Sequence, residues 1–95
     1  MRAFVRYNSR GDPGLLSLLP PPILDQVEII AGDLRDLSAI RAAMAGVEWV
    51  FHLGALIAIP YSYLHPVEVV ETNVIGTLNV LLAARELRPR RVVHT

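Results

Sequence analysis

Val47-Glu-Trp-Val-Phe-His-Leu-Gly-Ala55 is a short, bulky, apolar run that ends in two residues with almost no side chain. A run of this length and composition marks a strand at the buried centre of a sheet, and a Gly-Ala exit leaves the backbone open to close approach. Ligands of open α/β sheets bind outside the carboxyl ends of the strands. The segment therefore reads as a parallel strand whose end carries a binding site, and the remaining chain either repeats this unit or covers it.

Immediately upstream, Asp36 can cap a helix in which Leu37, Ile40, Ala43 and Met44 share one face, and Gly46 suits the left-handed position that ends it. Before that helix, Val27–Ala31 reads as a strand bounded by Gly32, and Arg2–Arg6 as another. Between those two strands lie a polar turn at Tyr7–Gly14, a short helix over Gly14–Leu19 opened by Asp12-Pro13, and the stop of Pro20, Pro21 and Pro22. Downstream, Leu56–His65 reads as a loop or broken turn. Pro66 then opens a long helix to about Arg88, with Val67, Val70, Val74, Leu78, Leu81 and Leu82 as its apolar stripe and Pro89 as its end. Arg91–His94 begins a fourth strand. This alternation of strand and helix implies a parallel sheet with right-handed crossovers.

Ninety-five residues, 53% of them hydrophobic, suffice for one small domain with a packed core. Nine basic and nine acidic residues cancel, so the electrostatic footprint of a nucleic-acid binder is missing. Without cysteine there is no disulfide, thiolate metal site or thiol nucleophile. Pro60, His65 and Glu68 interrupt the longest apolar stretch, which argues against a membrane span of about 20 residues. The expectation is a soluble, cytoplasmic protein.

Several residues have two physical readings. Asp33 follows the second strand, where its carboxylate can accept from an exocyclic amine such as adenine's or simply cap the next helix, the stronger reading of the residue alone. Gly54 and Ala55 either line a cofactor or make a tight exit from a buried strand. Arg6, Asn8 and Ser9 follow the first strand, where dinucleotide folds read the adenosine ribose; basic and hydroxyl groups there favour a 2′-phosphate, but a solvated turn explains them too. His52, on an apolar strand, reads as a packed histidine bonded to backbone, and no metal-ligand spacing surrounds it. Asn73, Gly76 and Thr77 interrupt the long helix, Gly76 most simply by close packing.

The order Val-Arg-Tyr-Asn-Ser-Arg-Gly, Gly-Asp-Leu-Arg-Asp, Val-Phe-His-Leu-Gly-Ala, Thr-Asn-Val-Ile-Gly-Thr-Leu-Asn-Val-Leu and Arg-Val-Val-His-Thr resembles the extended short-chain dehydrogenase/reductases. Within them it is most similar to the NAD-dependent epimerase/dehydratases, and Tyr7–Gly11 with Ala55–Tyr63 looks closest to the bacterial nucleotide-sugar 4,6-dehydratases. The resemblance implies an α/β fold, a partial Rossmann-type doubly wound parallel sheet lacking its first strand. Residues 1–95 would then be a partial NAD(P)-binding domain, second to fifth strands, with no substrate domain. It implies NAD or NADP as cofactor. Asp33 and Leu34 would contact adenine; Leu53, Gly54 and Ala55 would pass beneath the pyrophosphate and nicotinamide ribose. Thr72 and Asn73 would face the cofactor, with Asn73 holding the active-site backbone, and Arg6, Asn8 and Ser9 would flank the adenosine ribose. His52-Leu53-Gly54-Ala55 departs by one methyl from the family's usual His-Leu-Ala-Ala.

The family's Gly-x-x-Gly-x-x-Gly loop and Tyr-x-x-x-Lys pair do not occur in these 95 residues, which contain no lysine. No catalytic residue is therefore assigned. The expected whole is an internal piece of a nucleotide-sugar dehydratase that acts as a homodimer on a nucleotide sugar: oxidation at C4, loss of water across C5 and C6, and hydride return to C6. The piece alone is expected to be inactive and to lose the middle of its sheet, since the order 3-2-1-4-5 puts the first strand between the first and third strands read here. A 4-epimerase or ketoreductase shares every motif present, and a non-catalytic dinucleotide sensor is the alternative of another class.

Overall fold

Phe4 and Val5, set between arginines, form the middle of strand β1 (Arg2–Arg6) in a computed structural model that describes residues 1–95. β1 pairs in parallel with β2 (Glu28–Gly32), from Arg2 opposite Glu28 to Arg6 opposite Gly32. An ion pair from Arg2 Nε to Glu28 Oε2 (3.0 Å) closes the amino end of the ladder. The connection holds a 3-10 turn, Gly14–Leu18, whose Gly14 N–H donates to Asp12 Oδ1 (2.8 Å). The proline triplet stops that turn and also starts helix α1 (Pro21–Leu24), because proline has no N–H to lose in a helix's first turn. These elements make up the first of two units, residues 1–33.

The second unit, residues 34–95, opens with helix α2 (Leu37–Met44). Asp36 caps it by accepting from the Ala39 N–H (3.2 Å), and Gly46 takes φ 73° beyond its end. Ile40, Ala43 and Met44 are buried, as their spacing requires. β3 is Trp49–His52, parallel to β4 (Arg91–His94), with Trp49 opposite Arg91 and His52 opposite His94. The apolar run is thus longer than its strand. Val47 N–H still bonds to the α2 carbonyl of Met44, and residues beyond His52 leave the ladder. On one face of β3 the rings of Trp49 and Phe51 stack with centroids 6.3 Å apart, both exposed, Phe51 the more so.

Residues 56–65 depart from the loop expected of them, since helix α3 (Ile59–Leu64) forms there. Pro60 sits in its first turn, where it is compatible with a helix. Helix α4 then runs without a break over Pro66–Leu87, α-helical to Val70, π-helical over Glu71–Ile75 and α-helical again from Gly76. It ends at Arg88 in the left-handed region (φ 51°), whose N–H donates to the Ala84 carbonyl (2.8 Å).

Two expectations for α4 need correcting. The stripe of Val67, Val70, Val74, Leu78 and Leu81 faces outward; Val67 is 69% and Val74 58% exposed. The packed side, against α2, carries Gly76, Asn79, Val80 and Ala83 instead, and at Gly76 Leu34 lies too close for a side chain to fit without strain. The helix is also long and apolar enough, by length and composition alone, to cross a membrane. Its charges gather near the ends, at Glu68, Glu71, Arg85 and Glu86, so they do not break the apolar middle. In this fold its role is to pack against α2, an arrangement an Arg41–Glu86 ion pair (2.7 Å) spans at the surface.

No ladder joins the two parallel pairs, β1–β2 and β3–β4. Both pairs are parallel.

Candidate functional site at the strand exits

Parallel strands deliver their carboxyl ends to the same edge. In the first unit the Arg6–Gly32 pair ends the ladder, so Tyr7 and Asp33 leave it side by side. A cavity of about 290 Å3 opens there, lined by Arg6, Asn8, Tyr7 and Asp12 above an apolar floor of Val5, Ile29 and Ala31. Asn8 shapes its rim. Its Oδ1 accepts from the N–H groups of Arg10 (3.0 Å) and Asp12 (3.2 Å), and its Nδ2 donates to the Asp12 carbonyl (3.0 Å). The Asn8 amide is thus committed to the turn, while Ser9 and Arg6 stand exposed beside it.

In the second unit His52 and His94 end the other ladder, and Leu53, Gly54 and Ala55 follow, all exposed. Leu34 lies against this exit. A Cβ on Gly54 would meet Leu34 Cδ1 at 2.9 Å, and one on Gly76 would meet Leu34 Cβ at 2.9 Å. Asn79, one turn beyond Gly76, donates from Nδ2 to the Leu34 carbonyl (2.9 Å). Two small or amide-bearing positions of α4 therefore fix the residue that touches Gly54. Gly76 is a close-packing glycine, but its neighbour is the segment after β2 rather than the sheet.

Asn73 sits in the π-helical segment and grips the exit loop with both ends of its amide. Leu56 N–H donates to Oδ1 (2.8 Å), and Nδ2 donates to the Leu56 carbonyl (2.9 Å). A loop backbone held through both its donor and its acceptor loses most of its local freedom. π-helical turns of this kind occur often at functional sites. Thr72 is half-buried one position earlier.

His52 is 6% exposed and stacks on His94 with centroids 5.2 Å apart. Its Nε2 lies 2.9 Å from Thr77 Oγ1, a side-chain partner where a backbone one was expected. Burial, and secondarily the neighbouring His94, hold its pKa below the ordinary histidine value. No cluster of three or more metal-ligating side chains forms anywhere in the chain. Tyr61 reaches from α3 to the Glu68 carboxylate of α4, and its ring lies 4.7 Å from that of His65.

A family model described as GDP-mannose 4,6 dehydratase matches residues 3–95. The chain belongs to this NAD-dependent epimerase/dehydratase family. Among curated relatives, the UDP-glucose 4-epimerase of Rickettsia rickettsii (strain Sheila Smith) is 34% identical over 93 residues, 98% of this chain and 26% of its own length. Among solved structures, Pen from Bacillus thuringiensis superposes with a TM-score of 0.84 at 27% identity, covering 98% of this chain and 28% of that one. DesIV, a dTDP-glucose 4,6-dehydratase of Streptomyces venezuelae solved with NAD bound, gives 0.77 at 26%, covering 96% and 28%. The chain thus spans about a quarter of the length of the relatives it matches. Its fold is a partial Rossmann-type arrangement.

The positions singled out by sequence fall into two sets. Arg6, Asn8, Ser9 and Asp33 belong to the first unit; Leu34, Leu53, Gly54, Ala55 and Asn73 belong to the second. Within the second, Leu34 meets Gly54, and Asn73 holds Leu56 two residues beyond Gly54. In the sequence Thr77 is only an irregularity in a helix. Its i−4 spacing from Asn73 was the available signal.

Proposed function

We propose that these residues form part of the cofactor-binding half of an NAD(P)-dependent nucleotide-sugar 4,6-dehydratase or 4-epimerase. The observation that carries the reading is the exit from β3: an open Gly54-Ala55 backbone, an apolar Leu34 side chain laid on Gly54, and Asn73 fixing the loop that follows. This fits a dinucleotide, which needs a flat apolar surface for a ring and an unobstructed main chain for its ribose-phosphate part. Asp33 and Leu34 would hold the adenine, Leu53, Gly54 and Ala55 the pyrophosphate and nicotinamide ribose, and Arg6 and Ser9 the adenosine ribose, flanked by the turn that Asn8 shapes. Asn73 keeps the loop in place. When bound, the cofactor would supply reversible hydride transfer.

With neither a glycine-rich phosphate loop nor a Tyr-x-x-x-Lys pair among its residues, the 95-residue chain alone turns over no nucleotide sugar and binds NAD(P) weakly. A cytoplasmic homodimer acting on a nucleotide sugar is the setting proposed for the whole enzyme. The 4-epimerase reading stands beside the dehydratase one because the Rickettsia relative is an epimerase.

The test is a chimera. Residues 1–95 replace the matching segment of the Streptomyces venezuelae dehydratase, and the purified, folded product is examined for bound NAD. Retained NAD is expected. A folded chimera that cannot hold NAD, while the parent does, overturns the cofactor reading; a 4-keto sugar formed by the isolated chain overturns its inactivity.

A further inference from the structure

We infer that Thr77 is a positioning residue: it ties the buried His52 of β3 to the helix turn that carries Asn73, and so fixes the main chain at Leu56 beyond the strand exit. Thr77 Oγ1 lies 2.7 Å from the Asn73 carbonyl and 2.9 Å from His52 Nε2. A hydroxyl has one hydrogen, and a carbonyl oxygen can only accept. Thr77 therefore donates to Asn73, and His52 Nε2–H donates to Thr77. This assigns the Nε2–H tautomer to His52, with its ring held at the edge by Thr77 and on the face by His94.

The relay ends where it has an effect. Asn73 lies in the π-helical segment Glu71–Ile75, and Thr77 lies just inside the α-helix that resumes at Gly76. The Thr77–Asn73 bond bridges that change of helix type, the place where side-chain direction along α4 is least determined by regular geometry. Asn73's amide then passes the constraint to both polar groups of Leu56. All members, His52, Thr77, Asn73 and Leu56, lie in one unit, and none is exposed. The inference concerns the same strand exit as the proposed function but requires no cofactor, so it can fail while NAD binding holds, or hold while NAD binding fails.

Amide hydrogen exchange and imidazole 15N shifts, measured by NMR on the whole 95-residue chain, test it. Thr77→Val keeps the shape and removes the hydroxyl. Leu56 N–H is expected to exchange about tenfold faster relative to the amides of α2, the loss of roughly one hydrogen bond's net worth. His52 should lose its single-tautomer 15N pattern, and Thr77→Ser should restore both signals. If Leu56 and α2 amides accelerate together, Thr77 is merely structural and the inference is wrong. It is equally wrong if Leu56 is unaffected. Where Thr77→Val does not fold, the unaltered chain decides: an Nδ1–H tautomer at His52 breaks the relay at its first link.

Discussion

Replacing Gly76 by alanine sets two known effects against each other. Gly76 is helical and buried, so alanine gains about 0.8–1.0 kcal/mol of helix propensity. Its new Cβ would lie 2.9 Å from Leu34 Cβ and 3.6 Å from the Leu34 carbonyl carbon and oxygen. Carbon atoms pack best about 3.5–4.0 Å apart, so the overlap is roughly 0.6–1.1 Å. Leu34 cannot easily retreat. The contact is with its Cβ rather than a rotatable tip, and its carbonyl is held by Asn79. Overpacking of this kind costs about 1–3 kcal/mol. At the middle of that range the overlap wins, for a net loss of about 1 kcal/mol and a melting temperature lower by on the order of 4–8 °C. Gly54→Ala meets only the mobile Leu34 Cδ1 and should stay within about 0.5 kcal/mol of the parent. In a Leu34→Gly background the opposing Cβ is gone, and Gly76→Ala should become stabilising. Thermal unfolding followed by circular dichroism in dilute solution reads all four. A higher melting temperature for Gly76→Ala alone would refute the packing argument.

Two further outcomes follow from single groups. His52 has a depressed pKa, so below about pH 6.5 the unfolded chain binds a proton that the folded one refuses. Its contribution to stability is complete above that pH and shrinks as pH falls toward the folded pKa; His94→Gln should raise the His52 pKa only part-way, since burial remains the larger cause, and an NMR titration in which His52 titrates above ordinary histidine would contradict this. Arg88 holds a left-handed backbone at the end of α4, which costs a side-chain-bearing residue roughly 1–2 kcal/mol; Arg88→Gly should therefore stabilise by about 1 kcal/mol in urea denaturation, and a loss would count against it.

Local chemistry made much of this fold readable. Asp36 and Gly46 bracket α2 because a carboxylate satisfies free N–H groups and glycine tolerates positive φ, and both are properties of one residue. The four strands were legible from short apolar runs, although Val47–Ala55 overstated β3 because apolarity continues past the last ladder bond. The face of α4 was misread for a definite reason. Periodicity selects the bulkiest side chains, whereas the buried face is the one packed against α2, which carries Gly76, Asn79, Val80 and Ala83. The π-helical segment also shifts the phase of the pattern part-way along. At the candidate site, the Asn73 amide bonds both polar groups of the Leu56 main chain. The Thr77 link to His52 was not legible, because it needs two elements brought together by the crossover.

Trp49 is the chain's single tryptophan, and with Phe51 it stands on an open face of β3. An indole in that position acts as a built-in optical gauge. Its emission should lie toward long wavelength while water reaches the ring, and should move to shorter wavelength when anything covers that side of the strand. Coverage of this surface can thus be followed by fluorescence without a label.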